Sequence, residues 1–247
     1  MLIVFLPAFN EKSALEKVVT SFHNEFSSQK LRIIVLNDGS TDGTARIASN
    51  LAKKFPMEIL NHEENQGLGK TMIHGMEYIA RTSNPEDIII TLDCDNTHDP
   101  IYVRKAIKKI EEGYDVVILS RYQRGGGEIG LSNLRSVLSK GAGLVLKLFF
   151  PISGVKEYSC GYRVFRASII SQAITSFGKD FVRLHKMGFA VTPEILIKMR
   201  MIGCKITEVP FILRYDRKAS PSKNKPLKTI LGYFALVWLY WGKKIQK

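Results

Sequence analysis

Short runs of apolar, largely β-branched residues recur along the chain at 2–6, 31–36, 57–60, 88–92 and 115–119. Stretches with helical spacing lie between most of them, such as Ala14 to Phe26 and Thr44 to Phe55. Strand alternating with helix predicts a parallel sheet, because parallel neighbours need a crossover. The runs are continuous rather than alternating, so both faces of the sheet are expected to be covered. The polar clusters after each run then sit at the carboxyl ends of strands, the edge where open α/β sheets bind ligands.

Taken in order, those edges carry Pro7-Ala8-Phe9-Asn10-Glu11, then Asn37-Asp38-Gly39-Ser40-Thr41-Asp42-Gly43-Thr44, then Asp93-Cys94-Asp95, and they are expected to converge on one pocket. After residue 120 the pattern loosens into a Gly-rich loop at Gly125-Gly126-Gly127, a helix-like stretch from Asn133 to Phe150, a loop through Gly161 and a strand-like run from Ile206 to Leu213. The expectation is one Rossmann-like α/β domain over residues 1–225, a mostly parallel sheet flanked by helices. Its first half reads as nucleotide-binding and its second as acceptor-binding, with a basic amphipathic helix over 226–247.

Composition is that of a folded globular chain: 247 residues, 45% of them hydrophobic and 24% charged, without a low-complexity tract. The charge is uneven. Residues 214 to 247 carry nine basic side chains against Asp216 alone, a net +8 of the total +13, so this end seeks an anionic surface or is simply a solvated tail. Cys94, Cys160 and Cys204 lie far apart without a CxxC spacing, which argues against zinc or a disulfide framework and fits a reducing compartment. The N-terminus opens directly on the first apolar run, without the pattern of an export signal, so a cytoplasmic location is expected.

Asp93 and Asp95 leave a buried strand together, as hard oxygen ligands for Mg²⁺ or Mn²⁺. An isolated Asp-x-Asp reads more readily as a cap or an Asx turn. The apolar strand before it and the second acidic edge at Asp38 favour the metal. Because Mg²⁺ takes few carboxylates and completes its shell with phosphate oxygens, the pair suits a nucleotide diphosphate. His98 is close enough to help, although a lone histidine is usually structural. Asp42, Gly43 and Thr44 read as the turn and cap of a helix. Asp38 is expected instead to accept from a nucleobase, with Pro7, Phe9 and Glu11 holding base and ribose. Gly67-Leu68-Gly69-Lys70 lacks the spacing of a P-loop, which argues against an ATPase, but Lys70 is expected to contact a phosphate.

The three edge motifs, in this order, resemble the inverting GT-A glycosyltransferases of the large family two. Further motifs narrow the likeness: Gly67-Leu68-Gly69 with Ile73-His74-Gly75-Met76, Ser120-Arg121-Tyr122 with Gly125-Gly126-Gly127, and Arg135 with Ser139-Lys140-Gly141-Ala142. Together they resemble dolichol-phosphate mannose synthases and related polyprenyl-phosphate glycosyltransferases, from about Ile3 to Lys223. The resemblance implies a GT-A fold, a GDP- or UDP-linked sugar as donor, and a polyprenyl or dolichyl phosphate as acceptor. Mannose is the favoured sugar, with glucose the other. It also implies that Arg121, Arg135 and Ser139 hold the acceptor phosphate, and that Ser222-Lys223 belongs to a segment closing over the diphosphate. Taken singly, each arginine reads as a surface ion pair and Glu194 as a helix-dipole partner. Two departures stand out. Thr97 replaces the Gln that would give a third metal contact, and Glu157 replaces an Asp ahead of Ser159-Cys160-Gly161-Tyr162-Arg163.

The longest apolar run, Thr229 to Trp241, has 13 residues. As a helix it is roughly 20 Å long, too short for the ~30 Å hydrocarbon core. With Trp238, Tyr240 and Trp241 at one end and Lys243, Lys244 and Lys247 beyond, it reads as an interfacial anchor, and Leu144 to Phe150 as a second contact. A peripheral association with a membrane surface is therefore expected, unless these segments form a core helix or an oligomer face. No motif for nucleic acid is present. Two rivals stay open: a transferase acting on a glycan hydroxyl, which would need a carboxylate base, and a non-catalytic nucleotide-sugar-binding membrane module.

Overall fold

A computed structural model describes residues 1–218, 220, 222–223 and 226–243, without the side chain of Pro226. Lys244 and Lys247 of the expected basic rim lie outside the described residues. The first half alternates as its pattern requires: β1 (Leu2–Ala8), α1 (Leu15–Glu25), β2 (Leu31–Asp38), α2 (Thr44–Leu51), β3 (Met57–His62), α3 (Leu68–Thr82), β4 (Ile88–Thr91), α4 (Val103–Glu111) and β5 (Val116–Ser120). There follow β6 (Gly127–Ile129), α5 (Asn133–Phe149), β7 (Arg163–Arg166), α6 (Ala167–Phe177), α7 (Val191–Met201), β8 (Ile206–Pro210), β9 (Ile212–Arg214) and α8 (Pro226–Tyr240).

Seven strands form one sheet in the order β3-β2-β1-β4-β7-β5-β8, and β6 pairs with β9 in a small second sheet. All pairs are parallel except those of β7, which runs antiparallel between β4 and β5. The continuous apolar strands bury both faces. Ile3, Phe5, Ile34 and Ile89 pack under α3, α6, α7 and α8, whereas Leu2, Val4, Ile33 and Val35 pack under α1, α2 and α4. Gly75 lets α3 approach this closely, since a Cβ there would stand 2.0 Å from the Phe5 ring.

Two expectations are corrected, and one strand had no signal: past the loop through Gly161 lies β7, whose four residues begin and end on arginine and so show no apolar run. The single strand over Ile206 to Leu213 is two, because Phe211 passes the chain from one sheet to the other: its N–H donates to Ser120 O and its carbonyl accepts from Gly127 N, both at 3.1 Å. The C-terminal helix is not amphipathic in the ordinary sense. Thr229, Leu236 and Tyr240 are buried, but the outer face is itself apolar, carrying Leu227, Ile230, Leu231, Phe234 and Trp238. Among the described residues no helix is long and apolar enough to cross a membrane.

Candidate active site

The carboxyl ends of β1, β2 and β4 open into one cavity of about 660 Å³, lined by Pro7, Phe9, Glu11, Asp38, Asp93 and Asp95 among others. Two asparagines turn the chain there in the left-handed region, Asn10 (φ 52°) after β1 and Asn96 (φ 66°) after Asp95. Asn is one of the few side chains that tolerates this conformation. Asn10 also joins two edges: its Oδ1 accepts from Thr41 N at 2.8 Å and its N–H donates to Ser40 Oγ at 2.9 Å.

The two aspartates differ sharply. Asp95 is buried, with Oδ1 accepting from Thr97 Oγ1 at 2.6 Å and Thr97 N at 3.2 Å, and Oδ2 bound by the Lys218 ammonium. Burial pushes its carboxyl up, but His98, Lys218 and Thr97 outweigh that and hold it below the usual range. Asp93 has no hydrogen-bond partner among the described residues, and burial together with Asp95 pushes its carboxyl up to about 7. An unpartnered carboxylate beside one that already holds a cation suits a divalent metal, with phosphate oxygens completing the shell. Among the described residues no third His, Cys, Asp or Glu joins them in a metal-holding group. Thr97 orients Asp95. His98 lies between the rings of Phe211, stacked at 5.6 Å, and Tyr162, edge-on at 4.9 Å, and burial drives its pKa down to about 4, so it is a neutral packing residue.

Glu11 is held by Lys223, which also donates to the carbonyls of Phe9 and Asn10, and by Ser220 Oγ at 3.1 Å. Ser222 lines the cavity beside it. Asp38 lines the cavity and also braces the neighbouring loop. Its Oδ1 accepts from Gln66 N at 2.9 Å and lies 2.7 Å from His62 Nδ1, while Oδ2 accepts from Gly67 N at 2.9 Å. The carboxylate thus holds the loop before α3 from the cavity wall. At this helix Gly67, Leu68 and Thr71 form the cavity wall, next to Lys70.

Arg121 is brought to Ser139, as expected, but its fork is not free. Nε and Nη2 donate to the fully buried Glu157 at 2.7 and 2.9 Å, Nη1 to Glu128 at 2.9 Å, and Nη2 also to Ser139 Oγ at 3.1 Å. Neutralised on two sides, Arg121 fixes Ser139 and the 157–159 loop instead of presenting an open fork. Arg135 stands apart on α5, bonded to the Tyr215 hydroxyl. Glu194 lies in the first turn of α7, as a dipole partner would, and does more there: fully buried, it accepts from Arg183 N, Leu184 N and the Tyr240 hydroxyl, tying α7 to the neighbouring loop and to α8.

Sequence reasoning missed His185, Lys186, Phe189, Lys218 and Lys228, all on the cavity wall. Lys218 and Lys228 stood out only as part of a basic run. The 185–189 segment follows no strand, so nothing marked it.

A family model described as Glycosyl transferase family 2 matches residues 3–174. The chain is 29% identical over 247 residues to a dolichol-phosphate mannosyltransferase of Pyrococcus furiosus, covering 99% of this chain and 65%, just under two thirds, of that relative. It is 25% identical over 223 residues to a polyprenol monophosphomannose synthase of Mycolicibacterium smegmatis, covering 90% and 80%. Among solved structures, glucosyl-3-phosphoglycerate synthase from Mycobacterium tuberculosis in complex with Mn²⁺, UDP and phosphoglyceric acid aligns with a TM-score of 0.65 at 21% identity, over 96% of this chain and 78% of that one. At that identity the likeness is one of fold, GT-A.

Proposed function

Because the chain belongs to glycosyl transferase family 2, we propose that it transfers a sugar, mannose by preference, from a GDP- or UDP-linked donor to a polyprenyl phosphate with inversion at the anomeric carbon. One observation carries the choice of acceptor. The cavity wall holds four carboxylates, Glu11, Asp38, Asp93 and Asp95. Glu11, Asp38 and Asp95 are bound by lysines or backbone N–H groups, and Asp93 is the one suited to a metal. None is left as a general base. A hydroxyl acceptor needs such a base, whereas a phosphate monoester is ionised at neutral pH and needs chiefly to be positioned.

Asp93 and Asp95 would hold Mg²⁺ or Mn²⁺, which when bound neutralises the departing diphosphate as a Lewis acid. Lys218 and Lys223 stand beside those carboxylates, where their ammonium groups can donate to the phosphate oxygens of the donor while keeping their bonds to Asp95 and Glu11. Pro7 and Phe9 give an apolar wall for base and ribose. The Asp38 clamp on Gln66 and Gly67 fixes the opposite side. The apolar outer faces of α5 and α8 rest on the membrane surface that supplies the acceptor, on the cytoplasmic side. The relatives named for dolichol and polyprenol phosphates support this reading.

The test is transfer from radiolabelled GDP-mannose or UDP-glucose, with Mn²⁺, to a polyprenyl phosphate or a disaccharide. Label should enter the lipid and vanish with EDTA; label entering only the disaccharide would overturn the acceptor.

A further inference from the structure

Arg135 makes no ion pair among the described residues, and its hydrogen bond goes to the hydroxyl of Tyr215. The same aromatic ring lies beside a second cation. Arg135 Cζ stands 5.7 Å from the ring centroid and the Lys218 ammonium 5.8 Å, both inside the ~6 Å reach of a cation–π contact. Lys218 is the residue bound to Asp95. One side chain therefore touches both the unpaired guanidinium on α5 and the ammonium at the metal seat. Those two cations are no farther from each other than the two distances together.

The turn that carries Tyr215 is fixed from two sides. Tyr215–Arg217 form one 3₁₀ turn directly after β9. Towards the loop of Asp93 and Asp95, Arg214 N donates to Thr97 O at 3.0 Å and Arg217 Nη1 to Asp99 Oδ2 at 3.3 Å. Towards α5, β9 pairs with β6, and Gly130 just beyond β6 comes so close that a Cβ there would stand 2.5 Å from Asp216 N. Its φ of 81° calls for glycine as well. The turn thus joins the loop after β4 to the segment that enters α5.

The surroundings of Arg135 suit the phosphate of an amphiphile. Leu134, Val137 and Leu138 beside it on α5 are exposed, and no carboxylate neutralises the guanidinium. Arginine loses much rotamer freedom when it is ordered, so a bond to a rigid phenol on a fixed turn lowers the cost of holding it ready for an anion.

We infer that Tyr215 is a positioning residue that sets the acceptor grip against the donor grip: its hydroxyl orients Arg135 towards the acceptor phosphate, and its ring steadies Lys218 at the donor diphosphate. The inference rests on the polyprenyl-phosphate reading above. Tyr215 acts through the two cations and meets neither substrate itself.

The test separates the hydroxyl from the ring. Sugar transfer to farnesyl phosphate gives kcat and the acceptor KM, and titration calorimetry with GDP or UDP plus Mn²⁺ gives nucleotide affinity. The proteins are wild type, Tyr215→Phe, Tyr215→Leu, Arg135→Ala and Arg135→Ala/Tyr215→Phe. Tyr215→Phe should raise the acceptor KM about tenfold, the loss of one bond to a charged group, with kcat and nucleotide affinity within about twofold of wild type. Tyr215→Leu should do the same and also weaken nucleotide binding roughly fivefold. In the Arg135→Ala background, Tyr215→Phe should add nothing to the acceptor KM, a non-additivity that a merely structural role does not produce. An unchanged acceptor KM in Tyr215→Phe overturns the inference, as do additive effects with Arg135→Ala or wild-type nucleotide affinity in Tyr215→Leu. A wild type that binds nucleotide but transfers no sugar to farnesyl phosphate removes the acceptor reading, and this inference with it.

Discussion

The Lys218 ammonium sits on Asp95 Oδ2 while Asp93, two residues earlier, has no hydrogen-bond partner among the described residues. Lys218 thus holds part of the seat that a divalent cation would take. Replacing it with methionine removes the competitor, so Lys218→Met should bind Mn²⁺ more tightly in the absence of nucleotide, on the order of tenfold, or ~1.4 kcal/mol. Sugar transfer should fall, since a contact to the leaving diphosphate goes too. Mn²⁺ titration followed by electron paramagnetic resonance reads the first effect; unchanged or weaker affinity means that Lys218 and the metal do not compete.

The Asp38 clamp makes a second prediction. Two backbone N–H groups donate to one carboxylate, and charge-assisted bonds of this kind contribute ~1.5–3 kcal/mol each. Asp38→Ala should release the 65–67 loop and weaken nucleotide binding by roughly 10–100-fold. His62→Ala removes only the support behind Asp38, and its effect should be smaller. Calorimetry with GDP and UDP checks the order, and an Asp38→Ala protein that binds nucleotide normally would show that the loop holds itself.

Arg121 and Glu157 show how far sequence could reach. Both positions were singled out from the chain, yet their bidentate pairing across 36 residues was not legible, because nothing in either local pattern reports the partner. The same limit hid β7 and Lys218. By contrast the five first-half strands and the convergence of Pro7, Asp38 and Asp93 on one cavity were readable, since continuous apolar runs fix both the sheet and the edge where its polar residues emerge. The hold of Asp38 on Gln66 was equally illegible, because that N–H donor comes from a loop 28 residues away.

That pairing yields its own prediction. Glu157 is fully buried and Arg121 nearly so, and breaking a buried pair costs about 3–5 kcal/mol. Glu157→Ala and Arg121→Ala should therefore each lower Tm by several degrees along with activity. Arg135→Ala, on the exposed α5, should leave Tm within a degree. An Arg121→Ala protein with wild-type Tm and lost acceptor affinity would restore Arg121 as a direct phosphate ligand.

Lys198 gives the pH dependence. Its ammonium is buried without a hydrogen bond, 3.9 Å from Glu194 Oε1, and burial depresses its pKa to about 8 from 10.5. The unfolded chain then binds more protons than the native one between pH ~8 and ~10.5, so this group makes stability rise with pH across that window. Below about 8 the cost of burying the charge is fully present. Lys198→Met, similar in shape and uncharged, should exceed wild type in stability at pH 7 by roughly 3 kcal/mol, with the gap closing towards pH 10. Thermal unfolding of both proteins at the two pH values tests this; a gap independent of pH would mean that the charge is not its source.

The outer faces of α5 and α8 decide how the protein meets its acceptor. Leu134, Val137, Leu144 and Leu148 on one helix, and Leu231, Phe234 and Trp238 on the other, are all exposed. The helices meet where Phe149 packs edge-on against Trp241 at 5.6 Å. Burying a large apolar side chain is worth ~1.5–3 kcal/mol when complete, and an interface buries part of each. Phe234→Ser/Trp238→Ser should thus lower partitioning onto vesicles at least tenfold, by about 1.4 kcal/mol or more. Thermal stability should hold, because neither side chain is in the core. Wild-type binding should weaken with salt on anionic vesicles and far less on neutral ones, given the basic residues beside the helix. Flotation with phosphatidylglycerol and phosphatidylcholine vesicles measures both effects. If the double variant floats like wild type, the face serves another contact; if it becomes monomeric where wild type is a dimer, that contact is a second copy of the chain.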